Sequence, residues 1–103
     1  MVLILNNDNF DETIKEGVTL VDFWAEWCGP CQQMLPILED FAENQGDTMK
    51  VGKVNVDQSP ELAASFRVMS IPTLIVFKDG QPVETMVGLK QKSELEEAVS
   101  KYL

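Results

Sequence analysis

Val18-Thr19-Leu20-Val21-Asp22-Phe23-Trp24-Ala25-Glu26-Trp27-Cys28-Gly29-Pro30-Cys31 is the stretch that decides how this chain folds. Its opening run, rich in β-branched and aromatic side chains, reads as a buried strand over Val18–Ala25. Beyond Cys31, the apolar residues Leu35, Leu38, Phe41 and Ala42 recur at helical spacing up to about Asn44. The only two cysteines of the chain therefore stand at a strand-to-helix turn, separated by Gly29 and Pro30. There the first cysteine meets the free N–H groups and the positive dipole end of the helix. Both favour a thiolate, which is the nucleophile of disulfide exchange. The second cysteine lies one turn further on, close enough to close a disulfide with the first. Pro36, inside the helix, removes one backbone bond and is expected to kink it.

Working outward, Met1–Asn6 reads as a first strand, and Asp8 or Asn9 can cap a helix running to about Glu16, ended by Gly17. Gln45-Gly46-Asp47 is a turn, and Met49–Val56 alternates as a strand does. Ser59-Pro60-Glu61 offers a capping hydroxyl, a proline for the first helical position and an acid for the first turn; Leu62, Ala63 and Phe66 follow. Thr73–Lys78 is a β-rich run, Asp79-Gly80 signals a tight hairpin, and Val83–Val87 is the partner strand. Ser93-x-x-Glu96 has the form of a capping box ahead of a helix whose apolar stripe is Leu95, Ala98, Val99 and Tyr102. Early strands alternating with helices imply parallel pairing with right-handed crossovers, and the late hairpin adds antiparallel strands. The expected architecture is α/β, a mixed central sheet with helices on both faces.

The length of 103 residues suits one domain, with room for a core that needs neither structural disulfides nor metals. A formal charge of −9 argues against nucleic acid or an anionic membrane as partner, because both call for basic patches. With no histidine in the chain, acid–base work falls to carboxylates, lysine or the thiols. The N-terminus has four apolar residues and no basic lead, too short for a signal peptide or a span, so the cytoplasm is the default location.

Three readings of Cys28 and Cys31 compete. Two buried structural thiols fit poorly with adjacent Gly and Pro at a helix start. Half of a zinc site would need carboxylates or a second chain, since zinc takes four ligands and the chain has no His. A redox pair fits the spacing and its place at a βα junction. By position, Cys28 is the attacking thiolate and Cys31, lying deeper, resolves the mixed disulfide. Asp22 interrupts a strand of Leu20, Val21, Phe23 and Trp24, so its carboxyl is expected to be poorly solvated, with a raised pKa that suits a proton acceptor for Cys31; a solvent-facing acid is the plainer alternative. Lys53 could be an ordinary surface lysine, and Pro72 an ordinary trans proline at a strand edge.

The Trp27–Cys31 motif resembles the active site of the thioredoxin family, and the likeness extends over essentially the whole chain. Asp22, Trp24-Ala25-x-Trp27, Pro36, Lys53, Asp57, Ile71-Pro72-Thr73 and Val87-Gly88 all stand where that family has them. The resemblance implies the thioredoxin fold, a central mixed five-stranded sheet flanked by four helices, as a single domain over residues 1–103. It implies a protein-disulfide reductase in which Asp22 accepts the Cys31 proton and Lys53 modulates the charge on Asp22. It further implies a cis Ile71–Pro72 bond whose backbone pairs with an extended substrate. Trp27, Gly29, Pro30, Ile71, Pro72, Val87 and Gly88 would form a shallow apolar docking patch; Trp24 and Asp57 look structural. The implied partners are disulfide-containing proteins and a flavin- and NADPH-dependent thioredoxin reductase; no bound cofactor is needed, and a monomer is the default. Gly29-Pro30 carries no histidine like that of many oxidising relatives, so the reduced form should be a good electron donor. One departure stands out: Gln32 replaces the basic residue that many thioredoxins carry after the second cysteine, which changes the rim that partners meet. Two rival functions remain: a thiol oxidant or isomerase, and a binding module or a dimer bridged by a metal or iron–sulfur cluster.

Overall fold

Runs with a period of two residues and runs with a helical period take turns along this chain, and each becomes one element. The computed structural model describes all residues, Met1–Leu103. They form β1 (Leu3–Leu5), α1 (Phe10–Ile14), β2 (Val18–Trp24), α2 (Gly29–Gln45), β3 (Lys50–Asn55), α3 (Pro60–Ser65), β4 (Thr73–Lys78), β5 (Gln81–Val87) and α4 (Lys92–Ser100). The sheet order is β1-β3-β2-β4-β5. β3 pairs in parallel with β1 and β2, while β4 pairs antiparallel with β2 and β5. The mixed sheet flanked by helices is thus the one expected.

The β4–β5 connection follows from local chemistry. Asp79 and Gly80 both take positive φ, 50° and 87°, as a two-residue hairpin turn requires. The Asp79 carboxylate also accepts the Gly17 N–H at 2.8 Å, tying the hairpin to the loop before β2. A register shift between Val76 and Phe77 lets β5 absorb an extra residue next to Pro82, whose missing N–H is harmless on an edge strand.

Three capping expectations change. The Asn9 side chain turns back into the preceding loop, bonding Asn6 N and Ile4 O at 2.8 and 3.0 Å, and α1 stops at Ile14 rather than Glu16. Ser59 stands at the N-cap of α3 without a side-chain cap bond; Asn55 Oδ1 orders that turn instead, accepting from Asp57 N at 2.9 Å and Gln58 N at 3.2 Å. α4 begins at Lys92, and the reciprocal carboxylate is Glu94, whose Oε1 accepts the Gln91 N–H at 2.9 Å, not Glu96 paired with Ser93. Lys92 reaches Asp40 on α2 at 3.3 Å, which favours the earlier start.

Strand alternation divides the core into two layers. On one face Val18, Leu20, Leu74 and Val76 meet Met34, Leu38 and Phe41 of α2 and Leu95 and Val99 of α4. On the other, Val21, Phe23, Ile75 and Phe77 meet Phe10 and Ile14 of α1 and Ala63 of α3. Asp22 has the parity of Leu20 and so lies on the α2 face. The C-terminal end of β2 delivers the chain directly to the start of α2, and this places the cysteines.

Candidate active site

Cys28 is the N-cap of α2, with extended backbone, and Pro30 occupies the first turn where its missing N–H is no loss. The Cys31 backbone N–H donates to Cys28 Sγ at 3.2 Å. This is the geometry a helix start offers to a capping anion, here a sulfur that becomes a thiolate on reduction. The two cysteines are joined by a disulfide, their Cα atoms 5.2 Å apart. Cys28 keeps 6% of its surface and Cys31 none. Ala25, Trp24, Val56 and Ile71 surround the pair.

The Ile71–Pro72 peptide is cis. Cys28 Sγ lies 3.7 Å from the Ile71 carbonyl oxygen. Neither the N–H nor the C=O of Ile71 has a backbone partner, whereas the Pro72 carbonyl accepts the Gly88 N–H at 2.8 Å. An unpaired donor and acceptor therefore stand beside the disulfide, as strand addition requires.

Asp22 is fully buried, and neither carboxylate oxygen has a hydrogen-bond partner. Burial pushes its pKa up from 3.8 to about 7, moderated by the positive charge of Lys53. Lys53 stands opposite Asp22 in the β2–β3 register. No ion pair joins them; the ammonium sits 5.0 Å from the centroid of the Trp24 ring instead.

The docking residues expected from sequence differ in exposure. Trp27 and Val87 are 72% and 55% exposed, Gly29 and Pro30 are exposed, and Ile71 and Gly88 are half-buried. Pro72 is buried. It therefore adds little apolar surface to the patch, because its ring is covered where β4 enters the sheet. Gly88 has a φ of +95°, a backbone turn that favours glycine, and nothing of this chain lies within 4 Å of a Cβ built there. Asp57 accepts the Trp27 indole N–H at 2.9 Å, which gives the structural role expected of it a definite form. Gln32 is exposed and donates to the Glu26 carbonyl at 3.0 Å. Sequence reading missed Val56, Val68 and Met69, which with Trp27 and Ile71 line a groove beside the disulfide. An isolated exposed methionine in a loop carries no periodic signal.

No three His, Cys, Asp or Glu side chains converge where a metal ion could be held. No helix is long and apolar enough to cross a membrane.

A Cys-x-x-Cys pair joined as a disulfide at the start of a helix, on a mixed sheet flanked by helices, is the site of a thiol–disulfide oxidoreductase. Comparisons with known proteins agree. The thioredoxin family model matches residues 1–101. The thioredoxin of Listeria monocytogenes is 47% identical over 103 residues, with all of both chains covered. That of Bacillus subtilis is 50% identical over 97 residues, 94% of this chain and 93% of its own. A mutant thioredoxin from Halobacterium salinarum superposes with a TM-score of 0.90 at 36% identity, covering 97% of this chain and 88% of that one. This chain belongs to the thioredoxin family, and its activity is that of a protein-disulfide reductase. The partner classes follow: disulfide-bearing substrates and a thioredoxin reductase.

Proposed function

We propose that the protein works in the reducing direction as a monomeric cytoplasmic electron carrier built as a single domain over residues 1–103. The observation that carries this reading is the Cys31 N–H pointed at Cys28 Sγ at 3.2 Å, with only uncharged Gly29-Pro30 between the cysteines. The helix start assists the Cys28 thiolate without a fixed cation that would over-stabilise the reduced form. Cys28 attacks a substrate disulfide, forms a mixed disulfide and expels one substrate thiolate. Cys31 gives its proton to Asp22, and its thiolate attacks Cys28. The second substrate thiolate leaves, and the two electrons have passed to the substrate as Cys28–Cys31 closes. A flavin- and NADPH-dependent thioredoxin reductase returns them. Lys53 modulates Asp22, while Trp27, Gly29, Pro30, Ile71, Val87 and Gly88, with the backbone at Pro72, receive the substrate.

The test is dithiothreitol-driven reduction of insulin disulfides by wild type beside Cys28→Ser, with the redox potential measured on the same protein. Rapid reduction that vanishes in the variant, at a potential well below that of glutathione, is expected. A potential well above glutathione would make the protein an oxidant instead. Asp22→Asn should slow release of the mixed disulfide more than its formation; equal slowing of both steps would remove Asp22 as proton acceptor.

A further inference from the structure

Beside the disulfide runs a groove of about 360 Å³, lined by Trp27, Val56, Ala63, Val68, Met69 and Ile71 together with Ser70. It is continuous with the redox sulfur, because Ile71 both lines it and holds its carbonyl 3.7 Å from Cys28 Sγ. Met69 and Trp27 are 92% and 72% exposed, an apolar surface left open where the backbone of Ile71 is also unpaired.

Two acids adjoin Trp27, one of the residues that line this groove. Asp57 is anchored there by the Trp27 indole, and exposed Glu26 adjoins Trp27 in the chain. Cations are scarce. Gln32 is neutral and bonded to the Glu26 carbonyl, and the Lys53 ammonium is drawn over Trp24. Arg67, next to Val68, is the one cation in the segments that line the groove. The chain as a whole carries −9, so the long-range field has the same sign as these two acids.

We propose that this groove selects, among disulfide-bearing protein segments, those with a lysine or arginine beside the attacked half-cystine and an apolar side chain that seats against Met69 and Trp27. The proposal rests on the reductase reading above and names its substrate class. The extended segment pairs with the Ile71 backbone, its apolar residue enters the groove, and its cation meets Asp57 and Glu26.

The test uses the full chain and three disulfide-linked dimers of one extended peptide, with Lys, Ser or Glu beside the cysteine and a leucine nearby. Rates are normalised to reduction of the same peptides by dithiothreitol, which removes their intrinsic reactivity. At low salt kcat/KM for the Lys peptide should exceed that for the Glu peptide about tenfold. The ratio should shrink several-fold in 0.5 M NaCl, as screening shortens the field, and should also fall in Glu26→Gln. Met69→Ser should lower kcat/KM for all three peptides by about fivefold and leave their ratio unchanged. Equal rates for the Lys and Glu peptides overturn the charge selection while leaving the reductase reading standing. An unaltered rate in Met69→Ser overturns the groove as the seat of the apolar residue. Failure to reduce any peptide removes the reductase reading and this proposal together.

Discussion

Thr19, Val21 and Phe23 leave one face of β2 for a layer closed by aromatic rings, whereas Leu20, Asp22 and Trp24 leave the other face for α2 and the cysteines. On the first side Phe66 lies 5.1 Å from Phe77, 5.4 Å from Phe10 and 6.2 Å from Phe23, centroid to centroid, and Phe10 meets Phe77 edge-on at 5.5 Å. That geometry suits the ring quadrupoles, and the layer serves stability. On the second side a carboxylate is buried without a hydrogen bond. Burying an acid this way disfavours its charged form, and the fold retains it all the same. Both faces also hold an unpartnered polar atom, since Thr19 Oγ1 is buried without a partner. The difference is charge: a hydroxyl stays neutral at any working pH, while Asp22 changes charge close to neutrality. One strand thus carries a packing surface on one side and a proton-handling group on the other.

The packing side breaks most heavily. Phe77 is fully buried and touches two rings of the cluster. Phe77→Ala should lower the unfolding free energy by about 3–5 kcal/mol, through lost transfer energy and the cavity left behind. Urea denaturation checks this. A loss below about 1 kcal/mol would mean that the cluster collapses freely, and that the two faces are less different than their geometry says.

Asp22→Asn should act with the opposite sign. The folded pKa is about 7 against 3.8 in the unfolded chain, so the folded state holds a proton that the unfolded state has released. This group leaves stability untouched below pH 4, lowers it as the pH rises from about 4 to about 7, and keeps it lowered above that. The integrated effect is on the order of 4 kcal/mol, because each tenfold change in proton affinity is worth about 1.4 kcal/mol. Oxidised Asp22→Asn should therefore gain a few kcal/mol over wild type at pH 8 and little at pH 4, the buried amide taking back part of the gain. Denaturation midpoints across pH decide it. A wild-type-minus-variant difference that is flat in pH would show that Asp22 does not titrate as its burial implies.

These two predictions also mark what the sequence could and could not reveal. The burial of Asp22 was legible because an acid inside an apolar strand has few places to go. Strand β4 was legible to the residue because Asp79-Gly80 leaves a hairpin one tight solution. The cysteine pair was legible because its chemistry and its local structure share the same few residues. What escaped was decided elsewhere. Gln91-x-x-Glu94 and Ser93-x-x-Glu96 both fit a capping box, and a contact with Asp40, some fifty positions away, goes with the upstream choice. The burial of Pro72 and the hold of Asp57 on Trp27 depend on packing between distant segments. The groove at Met69 is assembled from three loops and Ala63 of α3, so no periodicity announces it.

A smaller gain should come from Thr19→Val on the aromatic side. Valine matches the shape of threonine and removes a buried hydroxyl that bonds to nothing. Removing that desolvated group should stabilise the fold by about 1 kcal/mol, with no dependence on pH. Set beside Asp22→Asn, it isolates what charge adds to an unpartnered buried group. If both gains were flat in pH and equal in size, the distinction between the two faces would reduce to polarity alone.

The smallest effect should come from Lys53→Met. The Lys53 charge lowers the Asp22 pKa even though its ammonium is held over Trp24 rather than paired with the carboxylate. Removing that cation leaves desolvation unopposed, so the Asp22 midpoint should move up from about 7. The pH window over which stability declines should stretch upward with it. Carboxyl carbon NMR of Asp22 in oxidised wild type and Lys53→Met reads this directly, apart from any change in turnover. A midpoint that stays put would mean that the indole ring and solvent already screen the ammonium, and that the titration of Asp22 is set by burial on the α2 face alone. A midpoint that falls would contradict the sign of the Lys53 charge and place another group against the carboxylate.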